Sequence, residues 1–428
     1  MKRMLKGFGV LFVVGLLVLV GLKIYAASQW PSLSEVPALE LPTPMVKGDP
    51  EAWKTLEDIL SAEAAADSPR RVKNIYRNNY KDEDTTLWRT SKNIMRIKEM
   101  RSFSHMELPT PPLDYSVEGV NLIPLMSLLK LNGIRSWDSL KAGNVIEAIE
   151  IISESIHVSN LLRRANGDLV SVATAVSSER YSMSVLDEIL AVQAWESTEH
   201  YQAILSILQA TDDDYIGTTN SLVYEALMTD RLLIDPQQNG SGSDQSLEPF
   251  WSLGYDADSS RAYSRLYWLD VIEDYSKPYL QRSKSQNFGV QIEGLSAYFH
   301  NLYGKVLLDI ALPQFSSFVE REELMIARKR VLIVLCAARL YMWENDGKVP
   351  TAMTDLVPKY LAAAPRDPFG SGTITLKDGK VYSAMQYHDV QIEAYQFSQD
   401  TEGTFLLRDI ATPTPITTPS DEKRKRRR

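Results

Sequence analysis

The sequence predicts a mainly α protein: an N-terminal transmembrane helix, an exported helical body, and a small C-terminal α+β module with a short antiparallel sheet. Three observations lead there. Between Asn121 and Leu208 apolar residues recur at spacings of three and four, the period of an amphipathic helix. Residues 7–22 are apolar or glycine throughout, behind a basic start. Beyond Gly370 the period falls to two, as strands require. The 428 residues suffice for two or three ordinary domains and a full core. With 44% hydrophobic and 24% charged residues, the composition is that of a folding chain rather than a disordered one.

The chain opens with a membrane anchor over residues 1–28. Gly7 to Leu22 spans roughly 24 Å as a helix, and residues 23–27 complete the hydrocarbon core if Lys23 snorkels to the interface. Lys2, Arg3 and Lys6 outnumber the basic residues on the far side, so the N-terminus is expected in the cytoplasm and the bulk outside. A cleaved signal peptide is the rival reading, because Ala26 and Ser28 are small enough for a cleavage site.

Residues 29–50 carry Pro31, Pro37, Pro42, Pro44 and Pro50. That density favours an extended polyproline linker holding the body off the membrane. The helical body is expected over residues 51–322. Asp49 caps its first helix, with Pro50 in the first turn. A second helix is expected from Thr85 to Ser102, and Pro109 to Pro112 breaks the chain. Leu122, Leu125, Met126 and Leu129 form one apolar stripe, and Ile149, Ile152 and Ile156 another. Asn166-Gly167 marks a turn, after which Val172, Val176 and Leu186 continue the pattern. Residues 235–244 read as an exposed loop. The aromatic-rich stretch Tyr255 to Tyr303 keeps helical spacing, so its rings are expected in the core.

The last module covers residues 323–410. Val331 to Trp343 is a dense apolar helix, closed by Asn345-Asp-Gly-Lys-Val-Pro350. Gly347 suits the left-handed position that ends a helix, and Pro350 prevents its continuation. Thr351 is expected to cap the next short helix. Pro365, Asp367 and Pro368 set a turn, and Phe369 is expected to pack beneath the sheet. Residues 373–384 read as a hairpin around Asp378-Gly379, with further strands over 391–397 and 404–408. Residues 411–428 form a disordered Thr/Pro-rich tail ending in the polybasic run Lys423 to Arg428.

In order and spacing, Tyr341, Asp346, Gly347, Lys348, Pro350, Leu356, Tyr360, Leu361, Pro365, Asp367, Pro368, Phe369 and Gly370 resemble the globular part of type II secretion pseudopilins. The whole chain resembles longer bacterial envelope proteins with an N-terminal anchor, a helical middle and this module at the end. The resemblance implies a single-pass protein of the bacterial inner membrane, its bulk in the periplasm or on the outer face. Gly7-Phe8 is also similar to the cleavage junction of type IV pilins, but Phe12 stands where those proteins carry glutamate, so processing is not expected. Pseudopilins bind calcium through a late acidic loop. Asp400, Glu402 and Asp409 lack its glycine-rich frame, so calcium is not carried over.

Chemistry is harder to place. A net charge of −9 argues against nucleic acid as a partner. Cys336 is the only cysteine and lies in the apolar helix, so no intramolecular disulfide forms. Glu196 and His200 share a helix face, but two ligands do not make a zinc site. Ser127 and Lys130 match the Ser-x-x-Lys spacing without the accompanying Lys-Thr-Gly. Asp212 to Asp214 lack the closing glutamate of a calcium loop. No metal or cofactor is therefore expected, and no catalytic residue is assigned. The expectation is a non-enzymatic envelope scaffold or partner-binding protein. The alternative is an exported hydrolase acting on envelope material. The polybasic tail is expected to attract anionic lipid or envelope polymer.

Overall fold

A computed structural model of the chain describes residues 17–40, 48–64, 87–91, 93–109, 121–165, 167–190, 197–210, 216–234, 255–283, 300–311, 316–370, 372–377, 380–383, 398–399 and 405–409. The described chain is mainly helical. Among the described residues no helix is long and apolar enough to cross a membrane. Residues 17–28 are helical, while residues 7–16 of the expected anchor lie outside the described residues. So do the turn residues Asp378-Gly379, the expected strand 391–397 and the tail 411–428.

The first helix of the body, α1 (Pro50–Ala64), begins as expected from its chemistry: Asp49 Oδ1 accepts the Glu51 N–H at 2.9 Å. The helix expected over 85–102 does not form as one piece. It divides into α2 (Leu87–Thr90) and a 3-10 stretch, Ile94–Ser102. Ser91 is the cause. Its Oγ accepts the N–H groups of Asn93 (3.3 Å) and Ile94 (3.2 Å) and donates to Glu63 at 2.9 Å, so the side chain competes with the helical backbone ladder. An antiparallel helical block follows: α3 (Ile123–Lys141), α4 (Val145–Arg164), α5 (Leu169–Leu190) and α6 (Thr198–Ala210). Asp168 starts α5 by accepting the Ser171 N–H at 2.7 Å. Then come α7 (Ile216–Leu232), α8 (Ala257–Ser276), α9 (Leu302–Ala311) and the long α10 (Ser316–Glu344).

Two large cores organise these elements. One joins α1, the 3-10 stretch, α3 and α4 through Leu56, Ile59, Ile94, Leu125, Leu128 and Leu162. The other is built around α10. Residues Val331 to Ala338 are buried one after another, as in a helix apolar all round and enclosed on every side. They meet Met183 and Leu186 of α5, Ile204 and Leu208 of α6, and Leu356, Ile374 and Val381 of the C-terminal region. The expected boundary between residues 322 and 323 falls inside α10. Full burial of each Val, Leu or Ile of the run is worth about 1.5–3 kcal/mol.

The stretch expected as an extended spacer is docked where it is described. Leu33–Glu35 is a 3-10 turn. Trp30 packs with Leu233, Tyr263 and Leu308, and Leu39 lies against the cluster of Trp268 and Val271. One indole carries roughly 150–250 Å² of surface, enough to override the extended preference of the neighbouring prolines.

At its C-terminus α10 closes through Gly347, whose N–H donates to the Met342 carbonyl at 2.8 Å. Asp346 and Gly347 both take positive φ, 52° and 80°, a conformation that favours glycine. Tyr341 and Tyr360 meet edge to face at 6.0 Å. The cap of the 3-10 turn Met353–Asp355 is not Thr351. The Asp355 carboxylate reaches back instead, accepting the N–H groups of Thr351 (2.7 Å) and Ala352 (3.1 Å). Asp367 is buried, and its Oδ1 accepts the Phe369 N–H at 3.0 Å and the Ser383 hydroxyl at 2.9 Å. Phe369 is corrected in position: it clusters with Ala327 and Leu324 of α10 and meets the Tyr279 ring at 4.9 Å rather than lying beneath the sheet. The described strands are short: β1 (Thr375–Lys377), β2 (Lys380–Ser383), β3 (Ser398–Gln399) and β4 (Phe405–Asp409). They pair antiparallel in the order β1-β2-β4-β3, with Leu376 opposite Val381 in the first pair.

Candidate functional site

Charged side chains sit deep inside the helical body, where α4, α5, α7, α8 and α10 converge. They occupy apolar positions. On α4 the stripe Ile149, Ile152, Ile156, Ser159 ends on Arg163; on α5 Val172, Val176, Met183 and Leu186 bracket Glu179; on α10 Glu322, Met325, Lys329 and Leu332 follow the same alternation of three and four. Helical geometry therefore turns Arg163, Glu179, Glu322 and Lys329 inward, and all four are buried.

Glu179 lies between two cations. Lys329 Nζ is 2.5 Å from Oε1 and Arg163 Nε is 3.2 Å from Oε2. Burial pushes the Glu179 carboxyl up, but Lys329 and Arg163 together outweigh burial and hold it below the usual carboxylate range. Glu322, on the same face of α10 two turns earlier, has no cation within ion-pair distance among the described residues. Thr218 Oγ1 of α7 donates to its Oε1 at 2.6 Å, and the Tyr275 hydroxyl of α8 donates to Oε2. Burial is the main reason its carboxyl is pushed up to about 7; the Arg163 charge and the Thr218 hydrogen bond oppose, while Glu323 and Glu179 add to the rise. Glu323 pairs with Arg282 at 2.9 Å, and that guanidinium lies 4.4 Å over the Tyr275 ring. Arg328 completes the polar side of α10 by donating to Asp187 at 3.3 Å.

Glu322, its carboxyl raised to about 7 by burial, thus lies beside a triad of two cations and one anion. Its groups are buried among the five helices.

A second cluster lies at the start of α8. Asp256 Oδ2 is 2.9 Å from His300 Nε2, and the Ser259 Oγ is 2.9 Å from Asp256 Oδ2 and 3.3 Å from the same His300 nitrogen. An acyl-transfer triad needs its acid and its hydroxyl on opposite ring nitrogens. Here both meet Nε2, while Nδ1 is buried without a hydrogen-bond partner among the described residues. The Asp256 side chain also accepts the Ser259 N–H at 3.1 Å, as a helix N-cap does. Burial pushes the Asp256 carboxyl up, but the Ser259 hydrogen bonds and His300 outweigh it and hold it below the usual range.

The candidates drawn from the sequence fall apart from these clusters. Ser127 and Lys130 are both buried on α3, where burial pushes the Lys130 ammonium down to about 8. Cys336 is buried and its thiol is pushed up by burial, which leaves it unreactive. His157 clamps a turn, its Nε2 donating toward the carbonyls of Met100 (3.1 Å) and Phe103 (2.9 Å). Glu196 and Asp212 to Asp214 lie outside the described residues. Among the described residues no group of three or more His, Cys, Asp or Glu could hold a metal ion. The residues missed in the sequence are Arg163, Glu179, Thr218, Arg282, Glu322, Glu323 and Lys329, while Tyr275, expected as a core ring, is buried at this site. For Arg163, Glu179, Glu322 and Lys329 the one legible signal is a charge interrupting an apolar stripe. Comparison with protein-family models, with curated proteins and with solved structures gave no match to this chain.

Proposed function

We propose that the chain is a single-pass protein of the bacterial inner membrane, anchored through residues 7–27 with its N-terminus in the cytoplasm. Its exported helical body, with a pseudopilin-like α+β end, serves as a non-enzymatic scaffold that binds a protein partner in the envelope. The observation supporting this is the junction between apolar helix and body. Leu17, Val18, Leu19, Val20, Ile24 and Tyr25 are exposed, yet Ala26 is buried and Trp30 is packed among body residues. Such a helix is unfavourable in water and suited to lipid, and its short junction makes a stiff tether. The sealed position of Glu179, Glu322 and Glu323 favours a scaffold over an exported hydrolase acting on envelope material.

Washing isolated membranes with alkaline carbonate tests the anchor. The chain should stay in the pellet and be cut by protease only from the outer face; release into the wash would overturn the assignment. Crosslinking before detergent extraction should then recover one reproducible protein partner, and repeated recovery of the chain alone would count against the scaffold.

A further inference from the structure

We infer that the body rests directly on the bilayer through one apolar face, formed by Ile234 beyond the end of α7 and by Leu302 and Val306 on α9. The partner this face fits is the lipid interface itself. The inference rests on the membrane anchor proposed above.

Chain length makes the connection. The helical span ends at residue 28 and Trp30 is already buried against Leu233, Tyr263 and Leu308. Two residues reach at most about 7 Å. The surface around that cluster is therefore held beside the point where the chain leaves the membrane.

Apolar side chains are exposed on the segments that build the cluster. Ile234 directly follows Leu233 of the cluster and is 50% exposed. Leu302 and Val306, one helical turn apart on α9, are 37% and 46% exposed, on the far side of the helix from Leu308. Lys305 lies between them in the sequence, half-buried. Tyr255 stands next to the patch, its hydroxyl donating to the Leu233 carbonyl, and tyrosine is favoured at the boundary of lipid and water.

The face is also held rigidly. Asn301 Oδ1 accepts the N–H groups of Asp256 and Gly304, both at 3.0 Å, and its Nδ2 donates to the Asp256 carbonyl (3.0 Å) and the Ser260 hydroxyl (2.7 Å). These bonds key the start of α9 to the start of α8. A Cβ at Gly304 would fall 2.2 Å from the Ser260 hydroxyl, so the approach needs glycine. α9 thus presents Leu302 and Val306 at a fixed height from Trp30, in the manner of an interfacial helix.

The test uses the full chain carrying Ile234→Cys, Leu302→Cys or Val306→Cys, with Ile146→Cys on α4 as an exposed control. Cys336 is fully buried and stays out of reach of the label, which the unsubstituted chain checks. Each variant is labelled with bimane and reconstituted into vesicles of phosphatidylcholine and phosphatidylglycerol, with or without lipid bearing a nitroxide near the headgroup. Quenching should be severalfold stronger at positions 234, 302 and 306 than at 146. Equal quenching at all four positions, in protein that floats with the vesicles, would overturn the inference and leave the anchor standing. Protein that fails to float would overturn the anchor and this inference together.

Discussion

Replacing Lys329 with methionine isolates the electrostatic part of the buried triad. Methionine keeps an unbranched apolar stem and removes only the ammonium. At the observed 2.5 and 3.2 Å separations, an effective dielectric of about 20 gives Glu179 attractions of about 7 kcal/mol to Lys329 and about 5 kcal/mol to Arg163. Desolvation costs several kcal/mol for each ion, so neither figure survives as net stability. What remains decisive is the broken pair: the buried Glu179 Oε1 loses the ammonium that faces it while Arg163 still holds Oε2, and breaking a buried ion pair from one side should cost about 3–5 kcal/mol. Urea unfolding of the full chain in mild detergent, followed by circular dichroism, measures it. The triple variant Arg163→Met, Glu179→Leu, Lys329→Met removes every charge of the triad and should recover most of the loss. A Lys329→Met variant destabilised by less than about 1 kcal/mol, or a triple variant as unstable as the single, would refute the account of a buried triad held by its ion pairs.

Two more substitutions probe neighbouring features. Glu322 is held at about 7 in the folded chain against the ordinary 4.5, so the folded state keeps its proton as pH rises while the unfolded state loses it. Below about 4.5 the group contributes nothing; stability then falls through about 7, to a full cost of about 3 kcal/mol. Glu322→Gln should remove that pH dependence, so its stability relative to wild type should improve by about 3 kcal/mol between pH 4 and pH 8; an equal difference at both pH values would contradict the assignment. Asp367→Ala strands the Phe369 N–H and the buried Ser383 hydroxyl, a loss of about 3 kcal/mol, with faster amide exchange at Phe369 as its local mark. Unchanged exchange there would show that Asp367 does not hold the turn.

Features legible in the sequence were those whose partners lie close along the chain. Asp49 caps a helix two residues on, Gly347 closes one that ended three residues before, and Asp367 bonds the backbone of Phe369. The break at Ser91 was local too, yet apolar spacing across 85–102 concealed it, because periodicity does not register a side chain that competes for the backbone. The docking of Trp30 was invisible for the opposite reason. Its partners, Leu233, Tyr263 and Leu308, lie some two hundred residues or more away, and a tryptophan among prolines carries no mark of where it will be buried.

The sequence by itself determined the helical class, the apolar N-terminal segment and the punctuation around Gly347 and Asp367. Each follows from residue types and spacings that act within a few turns of chain. Tertiary structure alone decided that Glu179 would find Arg163 and Lys329, and that Glu322 would face Thr218 and Tyr275 instead of a cation. A charge in an apolar stripe announces that it must be compensated, since its desolvation is costly wherever the helix is buried. Which group compensates it depends on the helices brought alongside. That packing also separates a carboxylate held low from one pushed up to about 7.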